Sequence, residues 1–79
     1  MMKEEEIKEQ LMSSSADFRR LAEEHHQYEG KLQEMKNRQH MSDHDRLEEI
    51  TLKKKKLHLK DQMNSMISRL REELSHQPS

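Results

Sequence analysis

The chain has 79 residues, 29% apolar and 39% charged, with 15 basic and 16 acidic side chains and a formal net charge of −1. One domain is the upper limit, a closed globular core is not expected at this size without staples, and the balanced charge selects neither nucleic acid nor an anionic membrane as partner. Cysteine is absent, which excludes disulfides, thiolate-bound zinc and a thiol nucleophile.

Gly30 is the only glycine and Pro78 the only proline, a scarcity that favours long helices over sheets with tight turns. No apolar run approaches the roughly 20 residues a membrane span needs. The opening Met1-Met2-Lys3-Glu4-Glu5-Glu6 is acidic and lacks a hydrophobic segment, so no secretory leader is expected and the cytoplasm is the expected compartment.

The first predicted helix covers about residues 2–12, with Ile7 and Leu11 on one face. So short a helix is marginal alone and must dock or fray. Ser13-Ser14-Ser15 interrupts it, because serine competes for backbone hydrogen bonds and suits caps. Ser14 with Asp17 resembles a capping box, so a second helix is placed over about residues 15–38; one bent helix through the serines is the alternative. From Phe18 the apolar spacing is regular. Phe18, Leu21, His25, Tyr28, Leu32 and Met35 recur at intervals of 3, 4, 3, 4 and 3, an unbroken seam. Gly30 lies off that seam and costs the helix roughly 1 kcal/mol relative to alanine.

Residues 37–44 are polar, and Ser42 with Asp45 forms a plausible N-cap for a third helix over about 43–75, with Pro78 beyond its end. A short connection makes antiparallel neighbours, so the expected fold is an all-α, antiparallel helical hairpin with a short N-terminal helical segment. The third helix carries two apolar faces. Leu47, Ile50 and Leu57 share one; Leu52, Leu59, Met63, Met66, Leu70 and Leu74 share a roughly opposite one, at about 100° per residue. A turn centred near residue 41 sets Met35 against Leu47, Leu32 against Ile50, His25 against Leu57 and Leu21 against Asp61. On that register Leu47, Ile50, Leu57 and Asp61 complete the hairpin seam. Leu59, Met63, Met66, Leu70 and Leu74 are left as an interaction face, long enough to drive formation of a homo-oligomer or to receive a partner helix. His25 and Asp61 either pair across the seam or edge it and face water.

Two blocks carry a resemblance. Asp17-Phe18-Arg19-Arg20-Leu21-Ala22-Glu23-Glu24-His25 and Leu52-Lys53-Lys54-Lys55-Lys56-Leu57-His58-Leu59-Lys60-Asp61 resemble the YdcH-like family, over about Glu5 to Ile67. The resemblance implies an α-helical hairpin in a small cytoplasmic bacterial protein and implies no activity. The triple serine and the doubled His25-His26 depart from the pattern.

Candidate chemistry is sparse. His25 and His26 are adjacent and point about 100° apart, and His40 and His44 straddle the predicted turn, so no metal site is expected. No catalytic residues and no cofactor are expected, because a hairpin this small encloses no cleft for a small-molecule substrate. Lys53–Lys56 spreads around its helix, leaving Lys53, Lys56 and Lys60 along one side as a possible basic patch. With only Phe18 and Tyr28 as aromatics, both in the seam, stacking platforms are absent. The expected function is protein–protein interaction or self-association, with nucleic-acid binding through those lysines as the alternative.

Overall fold

The computed structural model describes residues 3–75; Met2 and Pro78, which the sequence places at the first helix and beyond the last, lie outside them. Within this span run three helices and no strand: α1 (Glu4–Ser14), α2 (Ala16–Lys36) and α3 (Asp43–Ser75). The molecule is a rod of 58 × 20 × 17 Å. α2 and α3 form the antiparallel hairpin, and α1 folds back over its far end.

The serines break the chain in a specific way. Ser13 and Ser14 donate their hydroxyls to the Gln10 carbonyl at 2.9 and 2.7 Å, closing α1. Ser15 alone is extended, and its hydroxyl accepts from the Phe18 N–H at 3.1 Å, opening α2. The cap is therefore Ser15 with Phe18, one residue later than the Ser14–Asp17 box, and the chain is two helices, not one bent one. Arg19 ties the joint by donating to the Met12 carbonyl at 2.8 Å.

At the other end Asn37 closes α2, and a Ser42–Asp45 box opens α3. The Ser42 N–H donates to the Asp45 carboxylate at 3.2 Å, and the Asp45 N–H donates to the Ser42 hydroxyl at 3.1 Å, the reciprocal arrangement of a capping box. Arg38 reaches across the loop to Asp45 at 3.3 Å. These contacts hold the Asp45 carboxyl below its ordinary 3.8, chiefly through the Ser42 backbone N–H; lost hydration opposes this, and the Ser42 side chain, Arg38 and His44 add to the lowering.

The core is two clusters along one seam. Ile7, Leu11, Phe18 and Ile67 are buried together, with Met63, Met66, Leu70 and Leu74 packed against them. Leu32, Met35 and Leu52 form the second, with Tyr28 and Met41 against it. Burial of each large apolar side chain is worth about 1.5–3 kcal/mol before entropic costs, so α1, marginal alone, is held through Ile7 and Leu11.

This packing overturns the expected use of α3. Leu47, Ile50 and Leu57, assigned to the hairpin seam, are 65%, 50% and 59% exposed, and Asp61 is exposed too. The face expected to await a partner is the one buried inside the chain: Leu59 is buried in the seam, while Met63, Met66, Leu70 and Leu74 pack on the α1–α2 joint. The reason is register. Leu32 and Met35 cluster with Leu52, not with Ile50 and Leu47. Moving a turn centre by one residue slides the pairing by two, and two residues of helix rotate about 200°. So small a slip exchanges the two faces. His25 and Asp61 are consequently not paired. Asp61 lies with Asn64, Ser65 and Ser68 on the outer side of α3, while the Nε2 of half-buried His25 is enclosed without a hydrogen-bond partner.

Two outcomes check this architecture. Ile67→Ala is expected to cost about 2–5 kcal/mol in urea unfolding, whereas Leu57→Ala should stay within about 0.5 kcal/mol; the reverse order would restore the other register. A carboxyl whose folded pKa is lowered contributes stability that is full above its unfolded value and lost as pH falls through its folded value. Thermal midpoints followed by circular dichroism should therefore drop as pH falls through and below 3.8, and the drop should be smaller in Asp45→Asn.

Candidate interaction surface

Among the described residues, α3 presents three of the four large hydrophobic residues that the fold leaves exposed; the fourth is Met12 on α1. Leu47, Ile50 and Leu57 fall on one side of the helix, with Lys54 between them and Asp61, Asn64 and Ser68 continuing the line in polar form. The apolar part spans about 15 Å at 1.5 Å per residue.

Beside this stripe runs a groove between α2 and α3. From α2 it is lined by Glu29, Gly30, Leu32 and Lys36. From α3 it receives Lys53, Lys56, Leu57 and Lys60, so the basic patch lies in one place and gains a fourth lysine that spacing along α3 could not show. Two of the four have carboxylate partners. Lys56, half-buried, meets Glu29 across the hairpin at 3.5 Å, and Lys53 meets Glu49 one turn earlier at 3.4 Å. Lys36 and Lys60 have no carboxylate within 4.0 Å among the described residues. Lys54, from the stripe, and Lys55 line a separate hollow on the far flank of the stripe, with Tyr28 and His58. Leu57 is shared by stripe and groove, and it is the residue that joins the two.

Gly30 sits in the groove wall in ordinary helical backbone, without a positive φ. A Cβ built there meets nothing within 4 Å. Neither packing nor backbone geometry calls for glycine.

The remaining candidates do not assemble. Among the described residues no three His, Asp or Glu side chains converge to hold a metal ion. His25 is half-buried in the seam, His26 is exposed beside the groove, and His40 and His44 are exposed about the loop. No described helix is long and apolar enough to cross a membrane.

Residues 18–67, more than half of the chain, match the family model described as a protein of unknown function, DUF465. The chain belongs to the DUF465 family. The YdcH-like resemblance agrees with this membership. The match begins at Phe18, not near Glu5, so α1 lies outside it, as do Leu70 and Leu74. No curated protein and no solved structure matches the chain significantly.

Because the fold makes no use of Gly30, replacing it removes no packing or backbone benefit. Gly30→Ala is expected to stabilise the hairpin by about 1 kcal/mol, read as a higher urea midpoint with an unchanged helical spectrum. A loss of stability would mean that the bare backbone is needed for packing.

Proposed function

We propose that this DUF465 protein is a non-catalytic interaction module of the cytoplasm, a helical hairpin that offers the outer side of α3 to a helix of another protein. The observation that carries this reading is the stripe of Leu47, Ile50 and Leu57, half or more exposed while the rest of the apolar inventory of α3 is buried or partly covered. An exposed leucine alone means little; three on one side of one helix, bordering a groove, make a surface that a helix can cover.

Self-association is the weaker form of the proposal. A stable interface buries on the order of 800 Å² per partner, and a stripe about 15 Å long falls short of that unless the neighbouring groove is covered as well. The Leu59–Leu74 face, which would have supplied a larger dimer contact, is covered within the chain: Leu59 is buried, and Met63, Met66, Leu70 and Leu74 pack on the α1–α2 joint. Nucleic-acid binding is the second reading, favoured by the gathering of Lys36 with Lys53, Lys56 and Lys60 in the groove. Against it stands the want of a stacking platform there: Phe18 is buried and Tyr28 lies on the other side of the hairpin.

A photo-cross-linking residue placed at Lys54, in the stripe, is expected to yield discrete protein adducts in cells. The same residue at exposed Gln27 on α2 should not, and Ile50→Asp with Leu57→Asp should abolish the adducts. Equal labelling from both positions would end the reading. Adducts removed by nuclease would replace it with the second.

A further inference from the structure

We infer that the groove between α2 and α3 receives an acidic amphipathic helix, packed along the hairpin as a third helix. This names the partner class for the interaction surface above and rests on that reading. Charge favours this occupant. Lys36, Lys53, Lys56 and Lys60 face one carboxylate in the lining, Glu29. Lys56 already engages it at 3.5 Å, whereas Lys36 and Lys60, one on each wall, are free of carboxylates among the described residues. A partner with carboxylates on both flanks of its contact face would meet both ammoniums. Like charge on the partner would be repelled, so the groove discriminates by sign.

Gly30 favours it too. A helix-interior glycine is tolerated at a cost and is used where another backbone must come close. Here the fold makes no use of it, because the space around it is open and its backbone is ordinary helix. What glycine does at this position is leave the α2 backbone bare along one wall of the groove. A helix can therefore approach α2 more closely there than past any side chain.

Shape and polarity fit a helix as well. Two antiparallel helices leave between them a furrow parallel to both, and a third helix fills such a furrow by ridges-into-grooves packing. Leu57, 59% exposed, gives the occupant an apolar contact at the midpoint of the lysines Lys53 and Lys60. A nucleic-acid backbone would use the ammoniums but would gain nothing from exposed Leu57 and bare Gly30.

The experiment uses the full chain and a synthetic amphipathic helix with leucines on one face and glutamates flanking them. Controls are the same peptide with lysine for glutamate, the same with alanine for leucine, and a single-stranded DNA oligonucleotide of mixed sequence. Because Gly30 is the only glycine, its amide is an isolated NMR reporter inside the groove. The acidic leucine peptide should shift that amide and bind in the micromolar range, and the two peptide controls should bind at least about tenfold more weakly. Lys36→Glu and Lys60→Glu should each weaken binding by about tenfold or more. Gly30→Leu should abolish it while keeping or raising the helical signal, which separates occlusion from unfolding. Equal binding of the lysine peptide, no binding of the acidic one, or full binding by Gly30→Leu would overturn the proposal, as would the oligonucleotide alone moving the Gly30 amide. If the acidic peptide fails while Lys54 still cross-links to protein in cells, the partner class is wrong and the interaction reading stands; if both fail, both are wrong.

Discussion

The structure depends on one continuous ladder along α3. Glu49, Leu52, Lys56, Leu59, Met63, Met66, Leu70 and Leu74 follow one another at steps of three or four, and all are buried or half-buried. This single face must serve two neighbours. Its first half packs on the C-terminal half of α2 and its second half on the joint of α1 with the start of α2. A two-helix hairpin of this length could not cover the ladder's far end alone. The single extended residue at Ser15, which lets α1 turn back, is therefore as important to the core as any leucine in it. Between the clusters, at the waist, Leu59 is buried and half-buried His25 encloses a ring nitrogen without a partner.

The helices, the loop and the capping box at Ser42 and Asp45 were legible in the sequence because each rests on local chemistry. The side of α3 that faces inward was not, because it rests on register, and register turns on the position of a loop. The ladder was present in the sequence but masked by two charged rungs, Glu49 and Lys56. Charged residues at seam positions read as interruptions, yet here each is half-buried and neutralised, Glu49 by Lys53 and Lys56 by Glu29. A long side chain can lay its stem along a seam and keep its charge in water. The competing stripe was purely aliphatic for three rungs and looked stronger. It ends at Asp61, and its failure to continue was the better signal, since a core face must run as far as its partner does.

The basic groove was half legible. Lys53, Lys56 and Lys60 share a side by spacing alone, and the helix geometry that gathers them also keeps Lys54 and Lys55 out of the groove lining. Lys36 and Gly30 belong to the same groove through tertiary packing, which places residues of α2 beside residues of α3 some twenty positions later. The family match adds a further division. It covers the hairpin from Phe18 to Ile67 and leaves out α1. Ile7 and Leu11, outside the match, are buried against Phe18 and Ile67 at its two limits, so the unmatched part of the chain closes the matched part where its ends meet.

Local rules are broken twice in the middle of α2, and the breaks differ in kind. His25 encloses a polar atom that replacement by an apolar side chain would remove, since an unsatisfied buried group costs more than an absent one. Gly30 forgoes helix propensity where any side chain would fit. One break points into the seam and the other into the groove, within two turns of the same helix. Sequences that specify a fold agree with it at every level except where something other than the fold is being served. The groove would account for Gly30 if the proposed partner helix packs there, since the fold itself makes no use of the open backbone. It does not account for His25, whose ring belongs to the waist of the hairpin. The two residues therefore differ: Gly30 leaves bare backbone on the groove wall, which the proposed partner would use, and His25 leaves a buried polar atom unsatisfied inside the seam.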